Sequence, residues 1–526
     1  MSVKRMLGSL GFILFSLVVI GPAPILLGQN GGAPWAWARN GEGQLGNGTN
    51  SDSTVPVPVV NLTTVTAVAA GDAHSLALKN DGTVWAWGLD NAGQLGNGTN
   101  TNSNVPVQVL NLAGITAVSR GANHSLALKN DGTVWAWGRN LDGQLGNGIT
   151  TDSNVPVQVS NLTGVTAIAG GGYHSLALRN DGTVWAWGNN QDGELGNGLN
   201  AYSYVPVQVL NLTGVIAIAG GYNHSLAIRN DGTLWAWGYN PDGELGNGTN
   251  ANSNVPVQVS NLTGVKAVAG GYYHTLAIRN DGTLWAWGRN DNGQLGNGTT
   301  AWSNVPVQIS TLTGVTAVSA GHSHSLAIKG DGTAWAWGWN LDGELGNGST
   351  TDSHAPVPVS NLTAVSAIAA GGRHSLAVKN AGAAYSYFIP AAAKATGANG
   401  TNWKTDLVLH NRNSASVTAT LYFLAAGADN TGAAGMPVSI SADTSNKMTD
   451  VVGTLFGLAE ASGAIKIDSS GPLMIASRTY NDQGAAGTYG QFIPGMAFSD
   501  ALAANQEARI ILLTKTGDYR TNMGFA

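Results

Sequence analysis

The chain has 526 residues, of which 74 are Gly, 17 are Trp and none is Cys, with 10% charged residues and a formal net charge of -6 at pH 7. That length exceeds one ordinary domain; a hydrophobic content of 43% excludes a disordered chain, and Gly without a three-residue period excludes collagen. The acidic balance offers phosphate no general attraction, which excludes nucleic acid as the main partner, and without Cys stability must come from packing.

Residues 1–28 carry Lys4 and Arg5 and then an apolar run from Leu7 to Leu27 with no acidic residue, the pattern of a secretory signal peptide. Small residues put cleavage after Ala23 or Gly28, with an uncleaved anchor as the alternative. No later segment offers the ~18 consecutive apolar residues of a membrane-spanning helix. The expectation is an exported chain, secreted or at the cell surface, with no membrane segment beyond the signal.

Between residues 31 and 387 a 50-residue unit repeats without insertion. Trp-Ala-Trp begins at Trp35, Trp85, Trp135, Trp185, Trp235, Trp285 and Trp335, and a His recurs from His74 to His374. Each unit predicts four short strands. In the unit starting at Leu162 they are A (Val165 to Ala169), B (Ser175 to Arg179), C (Thr183 to Trp187) and D (Val205 to Val209). Asp181-Gly182 suits the two-residue primed turn between B and C. Strand A, rich in Ala and ending in Gly, suits the crowded axis of a radial sheet. Period-two alternation in Leu-Ala-Leu and Trp-Ala-Trp is expected to put bulky groups on one face and Ala on the other, with all fourteen strand Trp residues forming the core. The prediction is all-β: a seven-bladed β-propeller followed by a β-sandwich-like domain. The repeat enters on C and D at Trp35 and ends on A and B at Val365 to Lys379, so the closing blade is expected to draw on both ends, which removes open sheet edges. Tyr385-Ser386-Tyr387 stands where the next Trp-Ala-Trp would be.

The His-Ser-Leu-Ala strand, the Asn-Asp-Gly-Thr turn, Trp-Ala-Trp-Gly and Gly-Gln-Leu-Gly-Asn-Gly closely resemble the regulator of chromosome condensation repeat family over residues 35 to about 384. The resemblance implies a seven-bladed propeller. Members include a nuclear guanine-nucleotide exchange factor, a plant ultraviolet photoreceptor, ubiquitin ligases and secreted bacterial propellers such as a β-lactamase inhibitor. Units of identical length leave no room for the wedge that exchange activity uses. The plant receptor's Trp before the repeat His is replaced by Ala73, Asn123, Tyr173, Asn223, Tyr273, Ser323 and Arg373. The resemblance is therefore nearest in type to the secreted bacterial members.

After Phe388-Ile389-Pro390 the repeat stops, and alternating runs such as Leu407-Val408-Leu409 and Ala419-Thr420-Leu421-Tyr422-Phe423 predict a second all-β domain, sandwich-like, over 388–526. Phe492-Ile493-Pro494 and Arg520-Thr521-Asn522-Met523 echo its start, and the echo breaks off at Ala526, as expected of a truncated product or an incomplete gene model.

No catalytic constellation emerges, and neither enzyme activity nor a cofactor or metal is expected. The seven repeat His residues, one per blade, are too far apart to converge on zinc, since adjacent sheets pack ~10 Å apart and zinc needs nitrogens ~2 Å away. The repeated Asp of the B to C turn lacks calcium-loop spacing. Glu194, Glu244 and Glu344 alternate with Gln at one repeat position, again one per blade, which implies no glycosidase pair.

Two functions remain: a binding scaffold whose partner is a protein or a surface glycan, and a propeller enzyme with a site at the axis mouth, with β-lactamase inhibition as a narrower idea from resemblance alone. In an up-and-down blade the A–B and C–D connections emerge on one side, B–C and D–A on the other. The second side repeats almost unchanged. The first varies, with Asp72, Tyr173, Tyr222, Tyr272, Tyr273 and Arg373 on inner loops and Arg39, Arg139, Tyr202, Tyr204, Tyr239, Trp302 and Trp339 on outer ones. Aromatic and Arg enrichment marks interface hot spots, so the variable face is the expected binding face; the alternative is loop drift with aromatics tucked onto neighbouring blades.

Overall fold

The computed structural model describes residues 31–380 continuously, and those of 385–497 apart from 397–401, 412–416, 427–434, 460, 470–472, 483–487 and 495. The signal segment and the echo at Arg520 lie outside the described residues. The chain divides into two compact units, Met1–Asn380 and Ala381–Ala526.

The first unit is a ring of seven antiparallel four-stranded sheets. Blades are numbered here from the one spanning 65–108, and the third consists of strands A to D at Val165–Gly170, His174–Arg179, Val184–Gly188 and Ser203–Gln208. Strand A lines the axis. The register corrects one expectation. Ser175 lies opposite Trp187, Ala177 opposite Trp185 and Leu176 opposite Ala186. Residues directly across a ladder share a face, so the Leu residues of B and the Trp residues of C project from opposite faces. Each face pairs a bulky column with a small one. Leu176, Leu178 and Ala186 accordingly cluster with Ala227 and Trp237 of the fourth blade.

The core holds only the second Trp of each pair. Trp37, Trp87, Trp137, Trp187, Trp237, Trp287 and Trp337 are fully buried. The first Trp is half-buried at the rim: Trp185 donates Nε1 to Thr183 Oγ1 at 3.3 Å and lies 5.8 Å beneath the Arg179 guanidinium. Trp185 sits nearer the B–C turn and packs only partly against the core shared by the second and third blades, with Arg179 over its outer side.

The seventh blade is built from both ends of the repeat. Strands Val365–Ala370 and His374–Lys379 supply A and B, and Ala33–Ala38 and Ser53–Pro58 supply C and D, with Trp37 opposite Ser375. Strand Tyr385–Thr396 pairs instead with Ala461–Ser469. Tyr385-Ser386-Tyr387 therefore belongs to the second unit, and the propeller ends near Asn380 rather than at 387. The physical reason is that Ala33–Ala38 already occupies the edge of His374–Lys379 that a further Trp-Ala-Trp would need.

Among its described residues the second unit is all-β apart from the short helix Val451–Thr454. Gly435–Ile440, Val417–Ala425, Ala461–Ser469 and Tyr385–Thr396 pair in that order, and Asn402–Asn411, Met474–Asp482 and Thr488–Pro494 form a second group. Two residue pairs at the hairpin, Ala395 with Trp403 and Thr396 with Asn402, join the groups. Ile389, Leu421, Ile465 and Ile467 of the first share one core with Leu407, Leu409 and Ile475 of the second, as in a sandwich.

Candidate functional site

The repeat motifs wire each blade to the next, leaving the loops of one face as the variable part. The Gln44 carbonyl of the seventh blade accepts from Trp87 Nε1 at 2.8 Å and Ser75 Oγ at 2.9 Å in the first. Gly46 follows with φ +63°, and a Cβ there would fall 2.8 Å from the Trp87 ring; this is why Gly-Gln-Leu-Gly recurs. Each repeat His then bonds the hydroxyl of the next blade, from His74 to Ser125 at 3.1 Å around to His374 with Ser75 at 2.9 Å. Since the Ser75 proton goes to the Gln44 carbonyl, His374 Nε2 is the donor, and the buried ring is neutral. Burial drives the pKa of His74 from 6.5 to about 3, and His124, His174, His274, His324 and His374 likewise. These His residues hold blades together.

The A–B loops form a second circle around the axis mouth. Asp72 N–H donates to Ala122 O, Ala122 to Gly172 O, Gly172 to Tyr222 O, and so on to Gly372, which donates to Gly71 O at 3.0 Å. On this rigid circle the aromatic side chains lie together. Tyr222 and Tyr272 stack at 3.5 Å between centroids, Tyr173 meets Tyr222 edge-on at 5.2 Å, and Tyr272 contacts Tyr273 at 5.6 Å and His322 at 4.0 Å. Tyr222 donates its hydroxyl to Tyr173 at 2.7 Å, and Tyr272 reaches across the axis from the fifth blade to Asp72 of the first at 3.3 Å. Below them Arg120 of the second blade donates to Ala370 O of the seventh at 3.0 Å. Burial raises the Asp72 pKa, and the Arg120 charge opposes the rise. The axis below the tyrosines holds a cavity of about 50 Å³ lined mostly by Ala and Gly. Small-molecule sites occupy roughly 300–1,000 Å³, several times this volume.

A radial ladder runs outward from this platform on the fifth blade. Arg289 lies 5.5 Å from the Tyr273 ring and 5.5 Å from the Trp302 ring, its Nε 2.7 Å from Asp291, which also accepts from Trp302 Nε1 at 2.6 Å. Arg139 repeats the arrangement in the second blade, 5.2 Å over Tyr173 and 3.8 Å from Asp142. Stacking cations on rings contributes roughly 0.5–1 kcal/mol each at exposed sites.

The sequence-selected residues divide accordingly. Tyr173, Tyr222, Tyr272 and Tyr273 come together at the mouth, half-buried against one another, and Tyr239 joins them 6.0 Å from Tyr273. Trp302 ends the ladder, 47% exposed. Tyr202 is held by Asn189 at 3.0 Å, and Tyr204, second in strand D of the third blade, is exposed. Arg373 is exposed and pairs with Asp342 at 3.8 Å, and Trp339 is half-buried on the sixth blade outside the tyrosine cluster. Sequence reasoning missed Arg289, Asp291 and Arg120. Arg289 was within reach, for it shares the repeat position of Arg39 and Arg139; Arg120 was marked by being the only charged residue at a strand A end where other blades have Ala or Gly.

Comparisons with known proteins bear on the propeller as a whole. Residues 11–270 match the RCC1-like domain, and residues 281–328 and 331–378 match the regulator of chromosome condensation (RCC1) repeat. No curated protein matches the chain. Among solved structures, Prp20p from Saccharomyces cerevisiae, described with its binding to Gsp1p and histones, is 25% identical with a TM-score of 0.61, covering 67% of this chain and 93% of its own. Human WBSCR16 is 26% identical with a TM-score of 0.60, covering 66% of this chain and 99% of its own. Yeast RCC1 (Prp20) bound to Kap60 shares the fold at 23% identity and a TM-score of 0.62, covering 72% and 95%. With its seven blades, its inter-blade motifs and these matches together, the chain belongs to the RCC1 repeat family.

Proposed function

We propose that this protein is an exported binding scaffold that recognises another protein through the A–B and C–D loop face of its propeller. The single observation that carries the reading is the aromatic platform of Tyr173, Tyr222, Tyr272 and Tyr273, preassembled on a closed backbone circle and continued outward by Arg289 and Trp302. Rings held by their neighbours lose little entropy when a partner lands on them, and Tyr, Trp and Arg are the residue types on which interfaces concentrate their energy. A protein is favoured over a surface glycan because charged groups accompany the rings along the ladder. Export is the reading of Lys4, Arg5 and the apolar run after them, and no catalytic role is assigned, the axis cavity being about 50 Å³.

The experiment is affinity capture from extracellular fractions with the purified chain. A partner retained by the wild type should bind the triple variant Tyr222→Ala, Tyr272→Ala, Tyr273→Ala at least about tenfold more weakly, while Asp131→Asn with Asp181→Asn on the uniform face leaves capture intact. The reverse outcome would put the binding face on the other side of the ring.

A further inference from the structure

The propeller axis holds a single charged side chain. Strand A ends in Ala or Gly in six blades and in Arg120 in the second, and this residue lines the axial cavity of about 50 Å³ among small neighbours. Burial works against its charge. A guanidinium carries five N–H donors, yet among the described residues the Nη2 bond to Ala370 O at 3.0 Å is the only hydrogen bond that Arg120 makes. The one carboxylate that acts on it, Asp72, does so from beyond ion-pair distance, and Asp72 Oδ2 accepts from the Tyr272 hydroxyl at 3.3 Å.

Peptide groups add donors at the same level of the axis. Gly170 N–H donates to Ser119 Oγ of the preceding blade at 3.1 Å, and Ala370 N–H to Ser319 Oγ at 3.0 Å. In the other five blades Ala stands in the place of that Ser, so the equivalent N–H at the end of strand A has no side-chain acceptor among the described residues. The cavity lining therefore combines a cation with more donors than the chain itself satisfies. A species the size of water needs roughly 10–15 Å³ of such space, so a monatomic ion with a water or two fits.

We infer that the axial cavity beneath the tyrosine platform binds a small inorganic anion of the size of chloride, held by the Arg120 guanidinium with peptide N–H groups of strand A. Water alone would satisfy the donors but leave the buried charge without a contacting counter-charge, which is the costly arrangement. An anion supplies both, and hydrogen bonds to an ionised partner are the stronger ones.

The test follows thermal melts of the full chain while sodium chloride replaces sodium gluconate at constant ionic strength, up to about 0.1 M. Wild type should gain at least about 2 °C, with saturation. Arg120→Ala, the residue that three other blades carry there, should lose the gain, and Asp72→Asn, which removes the nearby carboxylate but keeps an acceptor for Tyr272, should enlarge it. Equal gains in wild type and Arg120→Ala would show a bulk salt effect and overturn the inference. A gain confined to Asp72→Asn would make Asp72 the counter-ion of Arg120 and overturn it as well. Crystals soaked in sodium bromide give a second reading that does not depend on the variants folding: an anomalous peak beside Arg120 on the axis is expected, and water density alone at that place refutes the site.

Discussion

Acid should unfold the propeller through its inter-blade histidines. Each repeat His is buried and neutral, its pKa driven by burial from 6.5 to about 3, or about 4 for His224. Below pH 6.5 the unfolded chain takes up protons that the folded one refuses, so stability is lost as pH falls. Four buried carboxyls act in the opposite sense: Asp90 is raised by burial to about 6, Glu194 to about 7 and Glu244 and Glu344 to about 8, so their penalty sets in as pH rises above about 4. The two groups balance at about pH 6.7, where stability should peak. From there to pH 5 the histidines remove on the order of 12 kcal/mol and the four carboxyls return about 7, a net loss of about 5 kcal/mol that grows to about 11 by pH 4. Marginal domains hold roughly 5–15 kcal/mol in total. Urea unfolding followed by Trp fluorescence reports the propeller, which contains every Trp except Trp403. Near pH 5.5 the slope of unfolding free energy against pH should correspond to roughly three protons, and His174→Gln should reduce it by about one. A stability that stays flat between pH 7 and pH 5 would refute the neutral, buried ring.

Three further outcomes follow from particular residues. Asp90 replaces the Asn that elsewhere organises the C–D loop, and burial raises its pKa from 3.8 to about 6; Asp90→Asn should stabilise by about 1–2 kcal/mol at pH 8, and the gain should vanish below about pH 3, where Asp is protonated in both states, as denaturant midpoints would show. Trp187→Ala should cost about 3–5 kcal/mol and Trp185→Ala clearly less, since only the former is fully buried; equal losses in thermal melts would contradict the burial pattern. Deleting residues 31–60 takes C and D from the closing blade and bares two sheet edges, so size-exclusion chromatography should show aggregation, and a monodisperse chain with an unchanged melting temperature would reject closure from both ends.

Architecture was legible because it is local and repeated. Period-two alternation, an Asp-Gly turn and a constant 50-residue spacing each constrain a few neighbouring residues, and seven copies in register leave little but a propeller. Closure followed from counting which strands each end lacks. The variable face followed from strand parity alone.

What needed the tertiary structure is whatever depends on a partner far along the chain. Alternation showed that Trp and Leu each keep to one face of their own strand, but the faces were matched only by the ladder that sets Ser175 opposite Trp187. Both Trp residues of a pair share that parity, and only the approach of the preceding blade decides that Trp187 is enclosed and Trp185 is not. At the site, Tyr272 and Asp72 are 200 residues apart and Arg120 and Ala370 are 250 apart, yet both pairs meet across the axis. The sequence by itself determined which residues face the same way; ring closure determined which of them touch, because contacts across a propeller axis join blades that no local pattern relates.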